Sequence, residues 1–268
     1  MKLIVGLGQF TVANNWEENL NICKKYIEQA VEQGVELLVL PEGILARDIA
    51  DPDLVRRAAQ RLDGPFVNEL LAFTQTLHIT VLMTIHVPSD ESSEKVWNIH
   101  LGIREGRIIA QYKKLHLYDA FTMQESTNVV PGNEVPPLIE VKGFKLGLMT
   151  CYDVRFPELS RRLVLDGADA LVLPAAWVKG PLKEHHWDTL VTARALENTC
   201  YMLAIGESGP RNIGLSKVID PLGVVIASAT EQDGLVVSVI NKERIEYARS
   251  ILPALVNRRF DTPQLIEL

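Results

Sequence analysis

Cysteine is scarce in this sequence: only Cys23, Cys151 and Cys200 occur in 268 residues. An odd count that small cannot build a disulfide framework, and no C-x-x-C pair offers ligands at structural-zinc spacing. We therefore expect no metal and a reducing, cytoplasmic setting. Long apolar runs are lacking too: no stretch approaches the ~20 residues a helix needs to cross a bilayer, so no membrane partner is expected. The opening MKLIVGLGQF reaches polar TVANNWEEN too soon for a signal peptide. A basic surplus is missing. The 27 Lys and Arg against 34 Asp and Glu leave 27 − 34 = −7, which argues against a general nucleic-acid surface and leaves room only for local basic pockets. Linkers and low-complexity tracts are absent as well, so residues 1–268 read as one domain. Apolar residues make up 47%, enough for a core and too many for a disordered chain.

What is present alternates strand and helix. Leu3–Phe10 reads as an apolar strand. Over 16–33, Leu20, Cys23, Ile27 and Val31 fall at helical spacing, with Asn14 or Asn15 as cap and Gly34 as stop. Strands are expected over 36–40 and 79–85 with a helix over 66–78 between them, then a hairpin of 95–103 and 107–112 around Arg104-Glu105-Gly106. The second half repeats the order: strand 144–150, helix 157–166 opening on Pro157, strand 170–173, helix 183–199, strand 201–205, hairpin 215–219 and 224–228, and strand 235–240. An internal echo accompanies this: GVELLVLPEG (34–43) and GADALVLPAA (167–176) share five of ten positions. Runs such as LLVL and ALVL suit sheets covered on both faces. Together these features predict an α/β fold of four layers, an αββα sandwich with a possible internal duplication.

Open α/β sheets place their ligand sites just past strand ends. Glu42 follows LLVLP, Lys114 follows IIAQYK and Cys151 follows FKLGLMT, so a carboxylate, an amine and a thiol could converge. Cys151 stands between a strand and the expected helix start at Phe156-Pro157. There a helix dipole and free N–H groups would favour a thiolate and could hold an oxyanion. Cys23 lies on an apolar helix face and Cys200 enters an apolar strand, so both read as core. A Glu behind so apolar a run is costly to bury without a partner cation. His116, His78, His86, His100 and the adjacent His185 and His186 lack metal-ligand spacing and read as structural.

The segments VLPEG, YKKLHLYD and MTCYDVRFPEL resemble the three signature segments of the nitrilase, or carbon–nitrogen hydrolase, superfamily. HHWDTLVTARALEN and GLSKVIDPLGVVIA resemble its long helix and late hairpin. The resemblance spans nearly the whole chain in order. It implies an αββα sandwich that forms homodimers or larger homo-oligomers, and a cofactor-free Glu-Lys-Cys triad at Glu42, Lys114 and Cys151. FTMQES implies a second active-site glutamate at Glu125, and the Tyr152 backbone N–H is the implied oxyanion donor. The CYDVRFPEL and QES pattern is most similar to the Nit-type amidases, which implies a small anionic amide as substrate: deaminated glutathione, cleaved to 2-oxoglutarate and Cys-Gly. Cations suited to its carboxylates are Arg155, Lys179, Lys183 and Arg211, with Trp177 as an apolar wall. An omega-amidase acting on 2-oxoglutaramate or 2-oxosuccinamate, an N-carbamoyl-amide hydrolase, and a catalytically silent binding protein on the same scaffold are the alternatives.

Overall fold

The computed structural model describes residues 1–266. In chain order the strands are β1 (Lys2–Gln9), β2 (Leu37–Val39), β3 (Thr80–Pro88), β4 (Val96–Arg104), β5 (Arg107–Lys113), β6 (Val129–Val130), β7 (Ile139–Val141), β8 (Phe144–Leu148), β9 (Ala170–Ala175), β10 (Tyr201–Gly206), β11 (Lys217–Ile219), β12 (Val225–Ser228) and β13 (Gly234–Asn241). The helices are α1 (Trp16–Glu32), α2 (Leu54–Arg57), α3 (Pro65–Thr74), α4 (Pro157–Leu165), α5 (Lys183–Asn198), α6 (Lys242–Ile251) and α7 (Ala254–Asn257).

Two sheets form. The first runs β13-β1-β2-β3-β4-β5, with β6 beside β4, and the second runs β12-β11-β10-β9-β8-β7. Each is built on a parallel triple, β1-β2-β3 and β8-β9-β10, with antiparallel strands outside it save for the short β6, which runs parallel to β4. The two copies of the internal echo sit on the middle strands, β2 and β9.

Alternation along the strands explains the layers. Side chains of a strand point to opposite faces in turn. In β2, Leu37 and Val39 join Leu146, Leu148, Val172 and Leu203 in the core between the sheets. Leu38 and Leu40 point the other way, to Cys23, Ile27, Phe66 and Leu70 of α1 and α3. On the far side, α4 and α5 bring Leu159, Leu163, Trp187 and Val191 onto the second sheet. The order helix, sheet, sheet, helix is the expected αββα sandwich.

Local signals mostly hold. Asn15 caps α1 by accepting the Glu18 N–H at 2.9 Å. The β4–β5 turn has Glu105 at φ 48° and Gly106 at φ 71°, the left-handed pair that a two-residue hairpin requires. The expected strand 144–150 stops at Leu148. The expected helix 66–78 begins one residue earlier and ends at Thr74. Helices α2, α6 and α7 and strands β6 and β7 carry too short or too polar a pattern to stand out in the sequence.

Gly106 yields a test. A Cβ there would lie 3.1 Å from the Leu71 carbonyl oxygen, and a left-handed residue other than glycine costs about 1–2 kcal/mol. Gly106→Ala should lower unfolding free energy by at least that amount in urea titrations, with turnover per folded molecule unchanged.

Candidate active site

Three strand ends supply the site. Glu42 follows β2, Lys114 follows β5, and Cys151 lies three residues past β8. All three are buried. The Lys114 ammonium donates to Glu42 Oε1 at 3.0 Å and to Glu125 Oε1 and Oε2 at 3.1 and 2.9 Å. Two of these contacts go to one carboxylate, so the ammonium is paired with two glutamates. Glu42 also accepts the Asn98 amide on Oε1 and the Ala176 N–H on Oε2, each at 2.9 Å. Ala176 follows β9, so a backbone donor from one copy of the echo caps the carboxylate of the other. Glu125 opens a short 3-10 turn, Glu125–Thr127, and its Oε2 accepts the Tyr118 N–H at 2.7 Å.

Cys151 stands between β8 and α4, as expected from the sequence. It opens a separate 3-10 turn, Cys151–Arg155, in a left-handed conformation at φ 44°. Asp153 holds that turn. Its Oδ2 accepts the Thr150 N–H at 2.8 Å and the Tyr112 hydroxyl at 2.8 Å, and its Oδ1 accepts the His116 N–H at 3.1 Å, with His116 Nδ1 at 2.7 Å. His116 is thus structural, stacked on Phe156 at 3.8 Å between ring centres. The N–H of Tyr152, in the first turn, has no intrahelical acceptor.

Glu42, Lys114, Glu125, Cys151, His86 and Asn98 line one cavity of about 370 Å³. The same cavity is lined by Arg47, which sequence reading passed over. Asn98, Asp153, Arg47 and Glu207 were all missed. A polar side chain inside the apolar run of β4 was the signal available for Asn98.

Arg155 and Lys183 meet in a second cluster of aromatic rings. Lys183 Nζ donates to the Tyr118 hydroxyl at 2.7 Å and lies 4.6–5.0 Å from the ring centres of Phe121, Tyr118 and Trp177. The Arg155 guanidinium sits 5.0 Å from Trp177 and 5.8 Å from Tyr152. Among the described residues neither cation has a carboxylate partner, and Arg155 Nε is buried without an acceptor. Lys179 and Arg211 lie apart from both groups. Lys179 is exposed and donates to the Gly209 carbonyl at 3.1 Å; Arg211 is half exposed and faces Asp48 at 3.6 Å.

The sequence matches the carbon-nitrogen hydrolase family model over residues 4–250. The chain belongs to the carbon–nitrogen hydrolase family. It is 52% identical over 264 residues to a deaminated glutathione amidase of Escherichia coli O157:H7, covering 98% of this chain and all of that one. Its fold matches the C. elegans NitFhit protein with a TM-score of 0.87 and 30% identity, over 96% of this chain and 65% of that longer one. Saccharomyces cerevisiae Nit3, described as a member of branch 10 of the nitrilase superfamily, matches with a TM-score of 0.83 and 26% identity over 97% of both chains. Family and full-length likeness make this carbon–nitrogen hydrolase an enzyme that acts on amides.

The charges of the hydrolase site are set by burial and by one another. Burial alone would raise Glu42, but Lys114, Arg47 and the Ala176 N–H outweigh it and hold the carboxyl at about 2. Burial would neutralise Lys114, yet Glu125 and Glu42 keep its pKa above the ordinary lysine value. Burial, and then the charge on Glu42, push the Cys151 thiol well above its usual range, with Lys114 opposing. The resting site is therefore thiol, carboxylate and ammonium. A helix terminus and Lys114 favour the thiolate, but burial and the Glu42 carboxylate act the other way and prevail.

This arrangement has a measurable sign. Removing the Glu42 charge takes away the second-largest cause of the raised thiol pKa. Alkylation of Cys151 by iodoacetamide at pH 8 should be slow in the wild type and faster in Glu42→Gln, with the midpoint of its pH profile moved down. Identical profiles in the two proteins would mean the groups are not coupled.

Proposed function

We propose that residues 1–268 form one cofactor-independent amidase domain that hydrolyses deaminated glutathione to 2-oxoglutarate and Cys-Gly. The observation that carries this reading is the buried Glu42–Lys114–Glu125 cluster sharing one cavity with Cys151, beside two cations that lack a counter-ion.

An amide is a weak electrophile with a poor leaving group, and a thiolate divides the task into acylation and hydrolysis. Glu42 takes the Cys151 proton as Sγ bonds to the carbonyl carbon. The transfer is uphill at rest, so it goes together with C–S bond formation. The developing oxyanion faces Lys114 and the Tyr152 N–H; losing one such donor costs about 100- to 1000-fold in rate. The C–N bond then breaks, and the amine leaves with the proton held by Glu42. Water gives a proton to Glu42 as it adds to the thioester. Collapse breaks the C–S bond, and the proton returns to Sγ. Glu125 keeps Lys114 oriented throughout.

The substrate is anionic at both ends. Arg155 and Lys183, over the rings of Trp177, Phe121 and Tyr118, support a subsite for the Cys-Gly carboxylate. Their mutual repulsion and burial lower the Lys183 pKa, burial being the larger cause, and an incoming carboxylate relieves it. Exposed Val225, Ile226, Val256 and Phe260 support a homo-oligomer. No described helix is long and apolar enough to cross a membrane, and three free cysteines support a cytoplasmic setting.

Cys151→Ala should fold yet lose turnover, whereas Cys23→Ala and Cys200→Ala should act only through packing. Full activity in Cys151→Ala would overturn the Cys151 nucleophile, whereas a wild type with no turnover and no unusually behaved thiol would be a silent scaffold. The wild type should show a higher kcat/KM for deaminated glutathione than for 2-oxoglutaramate. Arg155→Met should reduce the former by about 2–5 kcal/mol in transition-state terms. The reverse preference would make the chain an omega-amidase with the same triad.

A further inference from the structure

Arg47 lies on the segment after β2 that Glu42 opens. Its guanidinium lines the cavity beside Glu42, Lys114 and Cys151, and its side chain is 19% exposed. Yet among the described residues it makes no hydrogen bond short enough to commit its fork: Glu42 Oε2 lies 3.9 Å from Nη1 and Glu207 Oε2 lies 3.7 Å from Nε. Glu207 Oε2 is itself buried without a hydrogen-bond partner. The backbone is shaped around this arginine. Gly43 is left-handed at φ 72°, and a Cβ there would fall 2.6 Å from Arg47 Cδ.

The other charges in the cavity narrow what the fork can take. Its lining cations are Arg47 and Lys114, and Lys114 is already paired with two carboxylates, Glu42 and Glu125. Its remaining lining charges, Glu42, Asp48, Asp53 and Glu125, repel anions. A carboxylate entering this cavity has one place to go, and a guanidinium fork matches it with two parallel bonds.

Deaminated glutathione carries two carboxylates, and the order of events assigns them. The amine departs and water replaces it, so the leaving group belongs on the open side, where Arg155 and Lys183 stand beside Phe121, which is 58% exposed. The acyl group stays bonded to Cys151 through both steps and belongs in the enclosed part. We propose that Arg47 receives the carboxylate at the 2-oxo-acid end of the acyl group and so makes the site selective for acyl chains that end in a carboxylate. The proposal rests on the amidase reading above. Glu207 is the positioning residue behind Arg47. Burial, opposed by Arg47, holds its carboxyl at about 7, so near neutrality it quenches the arginine only in part.

The test compares 2-oxoglutaramate with 4-oxopentanamide, which has a methyl group in place of the carboxylate. The ratio of their kcat/KM values should fall at least about 30-fold in Arg47→Met, about 2 kcal/mol at 1.4 kcal/mol per tenfold, chiefly through KM. Arg47→Lys should recover part of it. A readout without turnover uses the same contrast: 2-oxoglutarate should protect Cys151 from alkylation at least about 30-fold better than 4-oxopentanoate in the wild type, and Arg47→Met should erase the advantage. Equal protection by the two acids in the wild type, or an unchanged ratio in Arg47→Met, overturns the proposal, and the wild-type measurement stands even if the variant misfolds. Carboxylate-selective protection without hydrolysis of either amide would count against the reaction and leave the Arg47 contact standing.

Discussion

The buried ammonium of Lys114 between Glu42 and Glu125 is the interaction on which the site depends. Two carboxylates this close would repel each other and drive one to protonate. Lys114 lies between them, and its charge helps hold Glu42 as a carboxylate despite burial, the state in which the proposed mechanism uses it as a base. Removing the lysine would take away the cation the two carboxylates share, leaving Glu42 to Asn98, the Ala176 N–H and the more distant Arg47, at about 3–5 kcal/mol by the usual cost of breaking a buried pair. The same geometry explains the thiol. Its proton is held by the electrostatics of the cluster until an electrophile arrives to make its loss worthwhile.

A second constraint is the backbone at Cys151. A left-handed residue that is not glycine is strained by about 1–2 kcal/mol. Asp153 sustains it by accepting from Thr150, Tyr112 and His116, three groups on different segments. The turn presents Cys151 to the cavity and leaves the Tyr152 N–H in a first turn, without an intrahelical acceptor. The helix dipole of α4, a natural expectation from Pro157, has little to do with it, because the turn stands between that helix and the thiol.

How much of this was legible beforehand follows from the range of the interactions. LLVL and ALVL are readable because alternate residues bury opposite faces, a property of neighbours in sequence. Glu42, Lys114 and Cys151 are readable because each interrupts or ends an apolar strand with reactive chemistry. Arg47, Asn98 and Glu207 were hidden because what marks them is proximity across the fold: Glu207 follows β10, yet meets Arg47 160 positions earlier in the chain. Lys179 and Lys183 look alike in sequence. One is exposed and tied to a loop carbonyl, the other is buried against three rings, and only the packing of α5 separates them. The helix α6 was missed because just Ile245 and Ala248 of its ten residues are buried.

The triad is drawn from both sheets. Glu42 and Lys114 follow β2 and β5 of the first, Cys151 follows β8 of the second, and the N–H of Ala176, just past β9, reaches back across to Glu42. Nothing covalent fixes the distance between the sheets; the apolar side chains between them do. A reaction that suffers about 100-fold from a 1 Å misplacement is then a ruler laid across that seam. Substitutions at Leu37, Val39, Leu148 or Val172, none of which lines the cavity, therefore reach the site only by changing how the two sheets are spaced.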